Sequence, residues 1–312
     1  MTSHADWKAA VEREIAGTPF ERVMHKTGRT EALYTSLSRA DEVLAKEVHA
    51  LIVEPRPLVR TKVTLDNEHI GLSPALAIAL QLGSADLASD ENVTFSVPIG
   101  TDIWTEVAKL RALRLGWAKL QLARNRTLKW AHIVATGMSP ALTLREPWVN
   151  LLRNAHVAFA ALVGGADDFV LAPFDYGYRP HSELGRRIAL NVRHVLEEEG
   201  RVAKVKDPAH GSFAIESMMC GILRQAWSIL ELIDAAGGYE SFVLTGAMRA
   251  LVDDDHSDRR EALRAGAVKI TGITSFADCA PEELNGYPGS VLGEPVPALM
   301  QWSDEAAIKG GA

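Results

Sequence analysis

The feature that most constrains this chain is an alternation of two periodicities. From about residue 49, short runs of β-branched and apolar residues are each followed by a longer stretch whose apolar positions recur at helical spacing. The clear runs are 49–54, 59–65, 93–99, 128–136 and 168–174, with weaker ones at 202–205 and 269–274. Helices are predicted over 74–82, 101–122, 147–163, 181–199, 215–236 and 240–251. A strand followed by a helix and then another strand implies a crossover connection, and such crossovers build parallel sheets. The expectation is an α/β fold. Strand ends that run straight into turn residues, as in Val97-Pro98-Ile99-Gly100 and Ala172-Pro173-Phe174-Asp175, suit a barrel and an open sheet equally. Five good strands and two weak ones fall short of the eight of a closed (β/α)8 barrel.

Bulk properties narrow the classes of function. A chain of 312 residues with 47% hydrophobic content can bury a substantial core in one large domain or two medium ones. Its formal charge is −7, with the acidic residues scattered except at 253–255, which argues against nucleic acid as the main partner. Cys220 and Cys279 lie far apart and match no metal-ligand spacing, so they read as reduced thiols. The opening MTSHADWKAAVERE has no apolar leader, and no run approaches the roughly 18 apolar residues of a membrane span. The expected location is cytoplasmic.

Local patterns mostly predict architecture. In 101–122, Ile103, Trp104, Val107, Leu110, Leu113 and Trp117 share one side of a helix, with Lys109, Arg111 and Arg114 interleaved. Gly164-Gly165 ends a helix with a left-handed residue, and Ser212 stands where it caps the next one. Pro173-Phe174-Asp175-Tyr176-Gly177 follows an apolar strand directly. In an α/β barrel such loops carry the functional groups, although an ordinary loop with an exposed tyrosine explains the pattern equally well.

Six segments, taken in order, resemble the catalytic-barrel region of the methylmalonyl-CoA mutase family: 106–120 (EVAKLRALRLGWAKL), 145–153 (REPWVNLLR), 158–175 (AFAALVGGADDFVLAPFD), 186–199 (RRIALNVRHVLEEE), 205–216 (VKDPAHGSFAIE) and 226–238 (AWSILELIDAAGG). Fainter similarity extends over 7–35 and 259–276. The resemblance implies a TIM-barrel-like (β/α) domain and adenosylcobalamin-dependent rearrangement of an acyl-CoA skeleton. It also implies roles for particular residues. Tyr176 and Gly177 fall in the loop that contacts the corrin in the family. His69 aligns with the family's active-site histidine, where a hydrogen-bond donor polarises the migrating thioester carbonyl. His132 falls where catalytic subunits place a CoA-binding arginine, although imidazole is no equivalent of a bidentate guanidinium.

Two family features are missing from the sequence. Nothing resembles the early TMYxxRPWTIRQYAG segment whose tyrosine lies beside the reactive carbon, so the first part of the barrel is expected to be incomplete or modified. The cobalamin module's D-x-H-x-x-G is absent too. Asp254-Asp255-His256 lacks the glycine, reads as an acidic, solvated helix start, and leaves too few residues after it for a domain of about 100–150 residues. The resulting expectation is a helical or extended arm over 1–45, a mutase-like barrel domain over 46–280 and a tail over 281–312. Adenosylcobalamin is expected to act at the level of a complex and not to bind this chain alone. The expected role is an accessory, small-subunit-like chain in a heterodimer with a catalytic mutase subunit. Two alternatives stand beside it: a catalytic barrel that uses a separate cobalamin-binding subunit, and a non-enzymatic scaffold that kept the fold.

Overall fold

A computed structural model describes residues 61–65, 71–85, 93–129, 131–137, 142–143, 147–176, 178–179, 182–276 and 294–295. The arm at 1–45, the run at 49–54, His69 and Gly177 lie outside the described residues, as does the tail apart from 294–295.

The core is a parallel sheet of β1 (Thr61–Thr64), β2 (Val93–Ile99), β3 (His132–Gly137) and β4 (Asp168–Val170). Spatial order follows chain order, β1-β2-β3-β4, and each neighbouring pair is parallel. Helices α1 (Leu72–Ala85), α2 (Ile103–Ala123) and α3 (Val149–Val163) make the crossovers. Sequential parallel strands without a reversal of order are the arrangement of a barrel segment, whereas a doubly wound sheet reverses at a switch point. The described sheet is therefore consistent with a partial barrel.

Register explains which apolar side chains meet across the sheet. Val63, Phe95 and Ile133 lie level across three strands, as do Ala135 and Phe169, and all are buried. Phe95 meets Trp117 of α2 edge-on, with ring centroids 5.3 Å apart at 76°. The alternate row contains Thr94, Ser96, Val134 and Asp168, which belong to the other face because successive strand residues point opposite ways.

After β4 the chain forms a short strand pair, β5 (Tyr178–Arg179) with β6 (Glu294–Pro295), and helix α4 (Glu183–His194), which continues through a π-helical turn at Val195–Glu199. The long α5 (Phe213–Ala235) then folds back over α1 and α2. Gly116 permits this approach, because a Cβ there would sit 2.9 Å from both Leu223 of α5 and Leu80 of α1. Helices α6 (Tyr239–Leu244) and α7 (Ala247–Arg264) complete the described helical layer.

Several sequence expectations need correction. The run 202–205 is not a strand: Val202–Lys204 forms a 3-10 turn started by Arg201 at φ 53°. Its two valines sit three residues apart, which suits that turn. Around 269–274 the chain also makes a turn, with Gly272 at φ 84°. There the Thr274 hydroxyl accepts from the Ile270 N–H at 2.7 Å, so that backbone donor is satisfied locally. The helix expected over 240–251 is two helices, α6 and α7, separated at Gly246, whose φ is 79°. Asp253 and Asp254 are exposed but lie inside α7, not at its start. Finally, α2 is not a one-sided helix: every residue from Glu106 to Gln121 is buried, because α1, α3 and α5 pack around it and Trp117 meets Phe95 of the sheet.

Candidate functional site

Enclosing α2 buries its charges, and each has a partner. Lys109 reaches the Pro98 carbonyl at the end of β2 and pairs with Glu106. Arg111 contacts Asp207 at 2.8 Å. Lys119 lies 4.0 Å from the ring centroid of Trp227 in α5. Arg114 donates to the carbonyls of Gly165 at 3.1 Å and Ala131 at 3.3 Å and to Asp167 at 2.8 Å. Asp167 also accepts from the Ile133 N–H at 2.8 Å. Burial opposes its charge, but Arg114 and that N–H prevail and hold the carboxyl below its ordinary value of 3.8.

His132 belongs to this group. It opens β3, and its Nδ1 lies 3.9 Å from Asp167 Oδ2. That is the N-terminal edge of the sheet. Tyr176 follows β4 and so lies at the C-terminal end, where α/β barrels carry their functional groups. The structure does not bring His132 and Tyr176 together.

The loop carrying Tyr176 is built from several anchors. Tyr176 N donates to the Pro173 carbonyl at 3.0 Å, closing a turn, and its side chain is half-buried. Phe174 is buried and stacks on Trp148 with centroids 4.7 Å apart. Asp175, with no exposed surface, accepts from Ser182 N at 2.7 Å just ahead of α4, while the Ser182 side chain caps that helix by accepting from Gly185 N at 2.9 Å. From α3, Asn150 donates to the carbonyls of Phe174 and Thr143, both at 2.9 Å, and Asn154 donates to the Ala172 carbonyl at 2.8 Å.

Sequence reasoning missed Asn150, Arg153 and Asn154. Their i, i+3, i+4 spacing places three polar residues on one side of a helix, a pattern read by default as a solvated face. All three are buried.

A further buried polar group sits where α5 begins. Ser212 holds the N-cap position but makes no side-chain cap bond; instead Glu216 reaches back and accepts from Gly211 N at 3.0 Å. Burial raises the Glu216 carboxyl above its ordinary value of 4.5, against the pull of the Gly211 N–H and Arg111. Among the described residues, no group of three or more His, Cys, Asp and Glu converges to hold a metal. No described helix is long and apolar enough to cross a membrane.

Comparison with known proteins gives a consistent result. A family model described as methylmalonyl-CoA mutase matches residues 77–288. A probable methylmalonyl-CoA mutase small subunit of Mycobacterium bovis is 39% identical over 222 residues, which is 68% of this chain and 34% of that protein. A methylmalonyl-CoA mutase small subunit of Propionibacterium freudenreichii subsp. shermanii is 30% identical over 189 residues, 60% of this chain and 30% of its own length. A methylmalonyl-CoA mutase of Cereibacter sphaeroides is 29% identical over 205 residues, 64% of this chain and 28% of that protein. The chain thus spans about a third of the length of the curated relatives it matches. With a family model covering more than half of it, the chain belongs to the methylmalonyl-CoA mutase family.

Proposed function

We propose that this chain is an accessory, small-subunit-like component of an adenosylcobalamin-dependent acyl-CoA isomerase, working beside a catalytic mutase chain. The observation that carries this reading is how the polar side chains near Tyr176 are used. Asn150, Asn154 and Asp175 are buried and bound to backbone groups. The two amides have no proton to exchange with a substrate and hold the loop as a scaffold. Relatives named as small subunits support the same reading.

In this account the partner chain performs the acyl-CoA chemistry, and the cofactor joins at the level of the complex. A catalytic alternative needs His69 at the substrate carbonyl, Tyr176 and Gly177 at the corrin, and His132 at CoA. His132 stands at the far end of the sheet from Tyr176, next to Asp167. The test is co-purification of the full chain with candidate catalytic and cobalamin-binding chains, followed by an acyl-CoA isomerisation assay with and without it. Retention of a partner, with activity lost when the partner is omitted, supports the proposal. Isomerisation by this chain supplied only with a cobalamin-binding chain refutes it.

A further inference from the structure

We infer that Asn150 and Arg153 form a clamp that sets the placement of Tyr176 by joining three distant chain segments into one unit. The inference rests on the proposed accessory role, with the loop after β4 as part of what this chain contributes to the complex.

Asn150 has no exposed surface, and its amide spans two loops. Its Oδ1 accepts from Thr143 N at 3.0 Å, and its Nδ2 donates both to the Thr143 carbonyl and to the Phe174 carbonyl at 2.9 Å. Thr143 follows β3 and Phe174 follows β4, so one side chain ties the C-terminal loops of adjacent strands. Arg153, one helical turn further along α3, extends the clamp. Its Nη1 donates to Asn150 Oδ1 at 2.7 Å and to Thr143 Oγ1 at 2.9 Å. Its Nη2 donates to the Thr271 carbonyl at 2.6 Å, in the turn that follows α7.

Both faces of the Asn150 amide are committed, which makes the group sensitive to exchange of a single atom pair. An aspartate keeps the shape and the Oδ1 contacts. Its second oxygen, however, would face the carbonyls of Thr143 and Phe174, acceptor against acceptor. Tyr176 lies two residues beyond Phe174, inside the turn closed by its own N–H. Loosening Phe174 therefore frees Tyr176, and Asn150 is a positioning residue acting through it.

The test uses the full chain. In Asn150→Asp, amide hydrogen exchange should rise at least tenfold in 174–176, with α5 unchanged. Arg153→Lys, a milder change that preserves charge, should raise exchange mainly in 270–275. Exchange at 174–176 that stays at the wild-type rate in Asn150→Asp overturns the clamp. The functional arm is a double-mutant cycle in the reconstituted isomerase. Asn150→Asp and Tyr176→Ala should alter the same parameter, whether maximal rate or half-saturating concentration, and the double variant should do no more than the larger single change. Additive effects would mean that Asn150 only stabilises α3, and they overturn the positioning role. A Tyr176→Ala complex indistinguishable from wild type instead ends the site reading, while the exchange data still judge the clamp.

Discussion

Removing the Arg114 guanidinium should be among the most damaging single changes in the described fold. In Arg114→Met the apolar stem survives, but Asp167 loses its counter-ion while remaining enclosed. The side chains of the pair are 6% and 17% exposed. Breaking a buried pair from one side costs about 3–5 kcal/mol, and the partial exposure of Asp167 places this case at about 3. The carbonyls of Gly165 and Ala131 also lose a donor, which adds about 1 kcal/mol for each that stays dry. The retained Ile133 N–H offsets part of the loss. A net cost of about 4 kcal/mol corresponds to a fall in Tm of about 10 °C for a chain of this size. Urea and thermal unfolding of wild type, Arg114→Met and Arg114→Met/Asp167→Asn provide the assay. The double variant should recover at least a third of the loss, since it removes the stranded charge. A loss below about 1 kcal/mol would place the pair with ordinary surface ion pairs and refute the enclosed-helix account of α2.

Other outcomes follow from the same packing. Phe95→Ala, which empties the space against Trp117, should cost about 3–5 kcal/mol by chemical denaturation, and a cost below 1 would contradict the core assignment. Asp167 has a depressed carboxyl, so its contribution is present above 3.8 and lost as pH falls through its folded value; Asp167→Asn should flatten the acid limb of a stability-versus-pH curve. Glu216 has a raised carboxyl, so its contribution is present below 4.5 and lost as pH rises through its folded value. Glu216→Gln should therefore gain on wild type across that window, and the opposite trend in paired denaturation curves would refute the burial argument.

The legible parts of the fold were those set by local pattern. The run 93–99 is β2 with the bounds read from sequence, because β-branched and aromatic residues recur at every second position and turn residues end the run. The Gly164-Gly165 helix stop is present, with Gly165 at φ 77°. Short β-branched runs such as 202–205 and 269–274 misled because β propensity reflects packing beside a neighbouring strand, and no described strand lies beside either. The enclosure of α2 was hidden for a related reason. Arg111 and Arg114 look solvated until Asp207 and Asp167, more than fifty residues further along, come to meet them, and Lys109 until it turns back to the Pro98 carbonyl. At the candidate site, the position of Tyr176 beyond a strand was readable. The role of Asn150 was not, since its partners Thr143 and Phe174 come together only in the folded sheet.

The accessory role is tested most directly by the isomerisation rate of the reconstituted complex carrying His69→Ala in this chain, measured beside the wild-type complex and with the variant's thermal stability checked. If the partner performs the chemistry, the rate stays within about twofold. A loss of about a hundredfold to a thousandfold, the usual consequence of removing a preorganised donor at a reacting carbonyl, would contradict the account and make this chain the catalyst.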